Sequence, residues 1–148
     1  MSLQTGSRAP EIHSGDFQLS KLHGKTVVIY FFPKADTPGC TKESCEFRDA
    51  SKKFAKLNAE IVGVSPDKEA AQQRFAAKYG LPFTLVPDPD HSIAEAYGVW
   101  KQKSFLGRKY MGVERSTFVV DPEGKLAKIF EKVKVTDHVE KVLESLAE

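Results

Sequence analysis

Cysteine is scarce in this chain: Cys40 and Cys45 are the two thiols among 148 residues. Two thiols cannot build the disulfide framework of a small secreted domain. The four histidines, His13, His23, His91 and His138, are scattered. Together with the cysteines they do not give zinc-ligand spacing. Long apolar runs are missing as well. The longest is Val27 to Phe32, far too short to cross a bilayer. The opening Met1-Ser2-Leu3-Gln4-Thr5-Gly6 has neither the basic start nor the apolar stretch of a secretory signal, so the chain reads as cytoplasmic. Neither sign of charge dominates. Lys and Arg number 22, Asp and Glu 20, and the net charge is +2. That balance suggests no broad nucleic-acid or membrane footprint. One basic stretch, Lys101, Lys103, Arg108 and Lys109, reads as a solvated loop. There is no repeat, low-complexity tract or linker, so residues 1–148 read as a single domain, large enough to bury a core without staples.

What is present has a clear order. Thr26 to Phe32 is β-branched and aromatic throughout, the pattern of a central strand buried on both faces. Phe47, Ala50, Phe54 and Leu57 recur at helical spacing and predict a helix over about residues 40–58. Glu60 to Val64 reads as a second strand. Ala71, Phe75 and Tyr79 mark a second helix, stopped at Gly80. A short strand over Phe83–Val86 and a short helix over Ser92–Tyr97 follow. Thr117–Val120 and Leu126–Phe130 flank the turn sequence Asp121-Pro122-Glu123-Gly124 and should form a hairpin. Val139, Val142, Leu143 and Leu146 stripe a last helix, with Thr136 as its N-cap. Val99 to Arg115 has little periodicity and reads as a long irregular loop. The order is α/β with a mixed β-sheet flanked by helices. Without the strand–helix insertion before the C-terminal hairpin, it is the order of a thioredoxin-like fold.

The segment Phe32 to Cys40 joins the first strand to the first helix, the kind of connection where open α/β sheets bind ligands. Thr37 suits an N-cap and Pro38 the first helical position. Cys40 then lies in the first turn, where free N–H groups and the helix dipole favour the reactive thiolate. The competing reading is a small buried apolar side chain, but Thr, Pro and Gly punctuate a loop end, not a core stripe. Cys45 lies five residues on. In a helix, five residues rise about 7.5 Å and turn about 500°, which leaves the Cα atoms roughly 8.7 Å apart. A disulfide needs about 4.4–6.8 Å. A Cys40–Cys45 bond therefore requires the helix to unwind; otherwise Cys45 merely packs. The spacing is not Cys-x-x-Cys, which disfavours a thioredoxin-type oxidoreductase.

At Pro33-x-x-x-Thr37-x-x-Cys40 the sequence resembles the peroxiredoxins. The resemblance to the bacterioferritin comigratory protein (peroxiredoxin Q) subfamily runs over nearly the whole chain. It includes Tyr30 to Lys34, Thr37 to Thr41, Cys45 to Asp49, Ser65-Pro66-Asp67, Tyr97 to Trp100 and Glu114 to Phe118. It implies a thiol peroxidase acting on hydrogen peroxide or organic hydroperoxides. Cys40 matches the peroxidatic cysteine, and Cys45 the resolving cysteine of one branch, joined to it by an intramolecular disulfide. Thr37 matches the threonine that bonds sulfur and peroxide. Arg115 matches the arginine that holds thiolate and peroxide oxygens. Pro33 matches the proline that shields the pocket, Gly39 lies in the motif, and Glu43 matches a glutamate found three residues after that cysteine, one that supports the site without touching peroxide. A thioredoxin-like dithiol partner and a monomer are implied, and no metal, haem or flavin. Each match has a plainer alternative: Arg115 as an ion-pair partner of Glu114, Thr37 as a cap alone, Trp100 and the histidines as packing or surface residues. Two other functions stay open. One is a peroxide-sensing redox binding protein; the other is a module whose cysteines are structural.

Overall fold

The structure is a computed structural model, and it describes residues 3–147. Its centre is one five-stranded sheet. A small N-terminal hairpin, β1 (His13–Ser14) and β2 (Phe17–Gln18), and a 3-10 turn over Leu19–Leu22 lead into β3 (Thr26–Phe31). Then come α1 (Pro38–Asp49), α2 (Ser51–Lys56), β4 (Ala59–Ser65) and α3 (Glu69–Tyr79). They are followed by β5 (Thr84–Pro87), α4 (Ser92–Ala96), β6 (Trp100–Phe105) and β7 (Arg108–Val113). The chain closes with β8 (Ser116–Val120), β9 (Leu126–Phe130) and α5 (His138–Ala147). The sheet order is β5-β4-β3-β8-β9, with β3, β4 and β5 parallel and β8 and β9 antiparallel. The mixed sheet and its flanking helices are those of a thioredoxin-like fold.

The apolar run of β3 lies at the middle of this sheet, and its side chains alternate between two cores. Val27, Ile29 and Phe31 point to one face, packed with Ile12, Leu19, Ala94, Tyr97, Val113 and Phe118. Val28, Tyr30 and Phe32 point to the other, packed with Cys40, Phe47, Phe54, Phe75, Val139 and Val142. A strand covered on both sides can be apolar at every position, which explains the uninterrupted run.

Several boundaries differ from the sequence reading. The stripe expected to make one helix over 40–58 is carried by α1 and α2, which break at Ala50. Gly80 does stop α3, in the left-handed conformation at φ 61°. Helix α5 begins at His138, not after Thr136, so Thr136 is not its N-cap. Residues 99–115 are not an irregular loop: β6 and β7 form an antiparallel hairpin in register from Trp100↔Val113 to Phe105↔Arg108. Its side chains are exposed on both faces over most of its length. No core imposes alternation there, so the sequence carries none. Among the described residues no helix is long and apolar enough to cross a membrane.

Candidate active site

Topology brings the site together at one end of β3. Its carboxyl end runs into the loop 32–37 and then α1. Because β8 is antiparallel to β3, Ser116 pairs with Phe31. Residue 115 therefore lies beside the same end of the sheet, although 75 residues separate it from Cys40. The Arg115 backbone is pinned by the Val133 N–H, which donates to its carbonyl at 2.9 Å.

The loop is held from several sides. The Ala35 N–H donates to Asp67 Oδ2 (2.8 Å), which also accepts from Ser65 Oγ (2.8 Å). Asp36, at φ 62°, accepts from Lys78 Nζ and Tyr79 Oη, both at 2.9 Å. Pro33 is half-buried. Thr37 takes the N-cap position, and Pro38 opens the helix. The Thr37 hydroxyl makes no capping bond; it donates to the Lys34 carbonyl at 2.7 Å. The helical bond that starts α1 comes from its backbone carbonyl, which accepts from the Thr41 N–H at 2.8 Å.

Cys40 is the third helical residue and is fully buried. Arg115 Nη2 donates to its sulfur at 3.4 Å, and Nη1 donates to Glu43 Oε1 at 2.7 Å. One guanidinium thus clamps two residues a helical turn apart. Gly39 leaves room for it: a Cβ there would stand 3.2 Å from Arg115 Nη2, so the guanidinium would have to shift by a few tenths of an ångström. The pairing of Arg115 with Glu114 does not occur. Glu114 pairs with Lys101 at 2.9 Å.

Glu43 is wholly inaccessible, and its Oε2 has no hydrogen-bond partner among the described residues. Burial pushes its carboxyl up to about 7, against the opposing pull of Arg115. Burial alone would pull Arg115 down; Glu43 and the Cys40 sulfur overcome it and hold the guanidinium above its ordinary value. The site therefore keeps a permanent cation beside sulfur and a carboxyl poised near neutrality.

Cys45 is half-buried on the same helix, and both thiols are free. With both residues inside α1, the helical spacing of about 8.7 Å applies and no disulfide can close. Three contacts hold α1 in place: Tyr30 Oη and Ser44 Oγ hydrogen bond at 2.8 Å in the core, Arg48 Nη1 donates to the Tyr79 carbonyl at 2.7 Å, and Arg115 grips Glu43.

Two residues near the site had no useful sequence signal. Lys103 in β6 is half-buried. Burial, then the charge of Arg115, hold its ammonium below the ordinary lysine value, while Cys40 acts the other way. His138 is not a surface residue: it is 4% exposed, and its Nε2 hydrogen bonds Thr117 Oγ1 at 2.7 Å. Burial and the Arg115 charge lower its pKa to about 4. Trp100 is a packing residue, with its ring stacked on His91 at 4.0 Å.

A buried cysteine opening a helix beside an arginine clamp, on a thioredoxin-like frame, defines a thiol-based oxidoreductase. Comparison with known proteins narrows this. The AhpC/TSA family model matches residues 5–129. Peroxiredoxin Bcp of Bacillus subtilis is 48% identical over 151 residues, covering 99% of this chain and 96% of that protein. Among solved structures, BcpB of Mycobacterium tuberculosis superposes with a TM-score of 0.86 at 34% identity, over 98% of this chain and 97% of that one. The Xanthomonas campestris bacterioferritin comigratory protein, solved as trapped intermediate/ligand complexes bearing on its alkyl peroxide reduction activity, gives 0.85 at 40% identity over 88% and 83%. The chain belongs to the AhpC/TSA family, and within it to the peroxiredoxin Q (bacterioferritin comigratory protein) branch of thiol-dependent peroxidases.

Proposed function

We propose that Cys40 is the peroxidatic nucleophile and Cys45 the resolving thiol. The substrates are hydrogen peroxide and organic hydroperoxides, and a thioredoxin-type dithiol protein recycles the enzyme. The observation that carries this reading is the Arg115 clamp on the Cys40 sulfur and Glu43. The Cys40 thiolate attacks the terminal hydroxyl oxygen of the peroxide. An S–O bond forms and the O–O bond breaks. Sulfur loses two electrons to the peroxide, and the leaving hydroxide or alkoxide takes up a proton to become water or alcohol. Arg115 sits where negative charge moves from sulfur to oxygen. The Thr37 hydroxyl already spends its proton on Lys34, so its oxygen is free to accept from the peroxide O–H. Pro33 shields the pocket and Gly39 leaves room for the guanidinium.

The Cys45 thiolate then attacks the sulfur of the Cys40 sulfenic acid, closing the disulfide and expelling hydroxide, which leaves as water. Thiol–disulfide exchange with the reductant restores both thiols. This chemistry suits one domain, residues 1–148, acting as a monomer in a reducing cytoplasm, because the resolving thiol lies on the same helix.

Peroxide consumption with thioredoxin and its reductase tests the assignment. Cys40→Ser should abolish turnover. Cys45→Ser should retain the first peroxide reduction and lose thioredoxin-linked cycling. Full activity in Cys40→Ser would overturn the nucleophile. Mass mapping of the oxidised protein without a Cys40–Cys45 bond would overturn the resolving step.

A further inference from the structure

The β6–β7 hairpin ends in an apolar tip that nothing in the chain covers. Phe105 is 66% exposed and Leu106 88%, with Tyr110 and Met111 half exposed behind them. The turn is costly for its sequence. Leu106 and Gly107 both have positive φ, 51° and 80°. That is the pattern of a type I′ turn, which favours Asn-Gly. A leucine in the left-handed region is strained, and this one packs against nothing in return. Strain without an internal benefit points to a use outside the fold.

Charge is concentrated at the same place. Residues 100–113 hold Lys101, Lys103, Arg108 and Lys109 and no carboxylate, a local charge of +4. The whole chain is +2, so the remainder carries +2 − 4 = −2. The near-balance of the full sequence conceals this. Lys101 is paired with Glu114, and Lys103 is half-buried. Arg108 and Lys109 have no carboxylate within ion-pair distance among the described residues. The register places Arg108 opposite Phe105 and Lys109 opposite Ser104. The tip is an apolar cap with a cationic collar.

We propose that this tip docks on an anionic lipid surface, with Phe105 and Leu106 at the headgroup–acyl boundary and Arg108 and Lys109 on lipid phosphates. Apolar side chains backed by basic ones are the composition of an interfacial anchor. A protein partner fits less well. A stable protein interface takes about 800 Å² and 20–30 residues from each side, and the tip is a narrow projection with four apolar side chains. A second copy would also bring like charges together.

The test is co-sedimentation of the full, reduced chain with phosphatidylcholine vesicles, with and without phosphatidylglycerol. Binding is expected only with phosphatidylglycerol and should weaken with added salt. Leu106→Asn gives the turn its preferred residue, so folding is preserved while partitioning falls roughly tenfold. Phe105→Ser should do the same. Both variants should keep wild-type hydrogen peroxide consumption, which separates loss of docking from loss of the enzyme. Equal sedimentation with and without phosphatidylglycerol would overturn the proposal, as would a Leu106→Asn variant that binds like wild type.

Discussion

Glu43 has one oxygen on Arg115 and one with no partner, and its pKa lies near 7. Raised from 4.5, it makes the native state hold a proton that the unfolded chain releases. Its contribution to stability is therefore full below pH 4.5 and is lost as pH rises through 7. The loss is about 3 kcal/mol. His138 runs oppositely. Its pKa falls from 6.5 to about 4, so its contribution is present above 6.5 and is lost as pH falls through 4. The two partly cancel between pH 4.5 and 6.5. Glu43→Gln keeps an acceptor for Arg115 and removes one of them. The denaturation midpoint of this variant should climb with pH across that window, more steeply than in wild type; parallel curves would remove Glu43 from this role. Arg115→Lys keeps a positive charge but cannot clamp two residues with one planar group. Peroxide reduction should fall about 10²–10³-fold, as on losing one transition-state donor, with Cys40 still available to thiol labelling in the unfolded protein.

If Cys40 and Cys45 act as proposed, helix α1 must be firm enough to present Cys40 and weak enough to release it. The bond between Tyr30 and Ser44 works against release, because Tyr30 is fixed in the buried strand β3. Ser44→Ala orphans the Tyr30 hydroxyl in the core, which costs the folded helix about 1–3 kcal/mol. If opening precedes resolution, disulfide formation should speed up by roughly 5- to 140-fold, since each 1.4 kcal/mol is tenfold. The peroxide step should be unchanged. Stopped-flow fluorescence from Trp100 can separate the phases; an unchanged resolution rate would place the barrier elsewhere. Amides of residues 38–47 should also exchange faster in the oxidised state. Elements with two-sided or one-sided burial were legible in the sequence. β3, the β8–β9 hairpin and the stop at Gly80 all have local signals. The break at Ala50 does not interrupt the apolar stripe, so α1 and α2 read as one helix. Hairpin β6–β7 has no core to pattern it. The contacts of Arg115 with Glu43 and of Thr117 with His138 span 72 and 21 residues. No local rule announces them; only the resemblance placed Arg115, and nothing placed His138.

At the scale of the whole molecule, the open edges of the sheet decide how the protein meets its copies. One edge is β5, four residues long and ended by Pro87, which has no N–H to offer. The other is β9, whose start is covered by the N-terminal segment (Gly6 N–H to the Leu126 carbonyl, Leu126 N–H to the Ser7 carbonyl), where pairing with β8 shifts register at Val119/Val120 and Lys128 is exposed. Short strands, proline, irregular register and lysine all blunt edge-to-edge pairing. The apolar hairpin tip lies outside this sheet and is too small for a stable protein interface. Nor would resolution by Cys45, as proposed, call for a partner subunit, because Cys45 shares α1 with Cys40. The protein should therefore sediment as a monomer in both redox states, and its specific activity should not change on dilution. Velocity sedimentation of reduced and oxidised protein over a wide concentration range checks this. A dimer in either state would mean that a surface other than the sheet edges joins two chains. A dimer in the oxidised state alone would point to α1, because that is the segment the proposed resolution step would unwind.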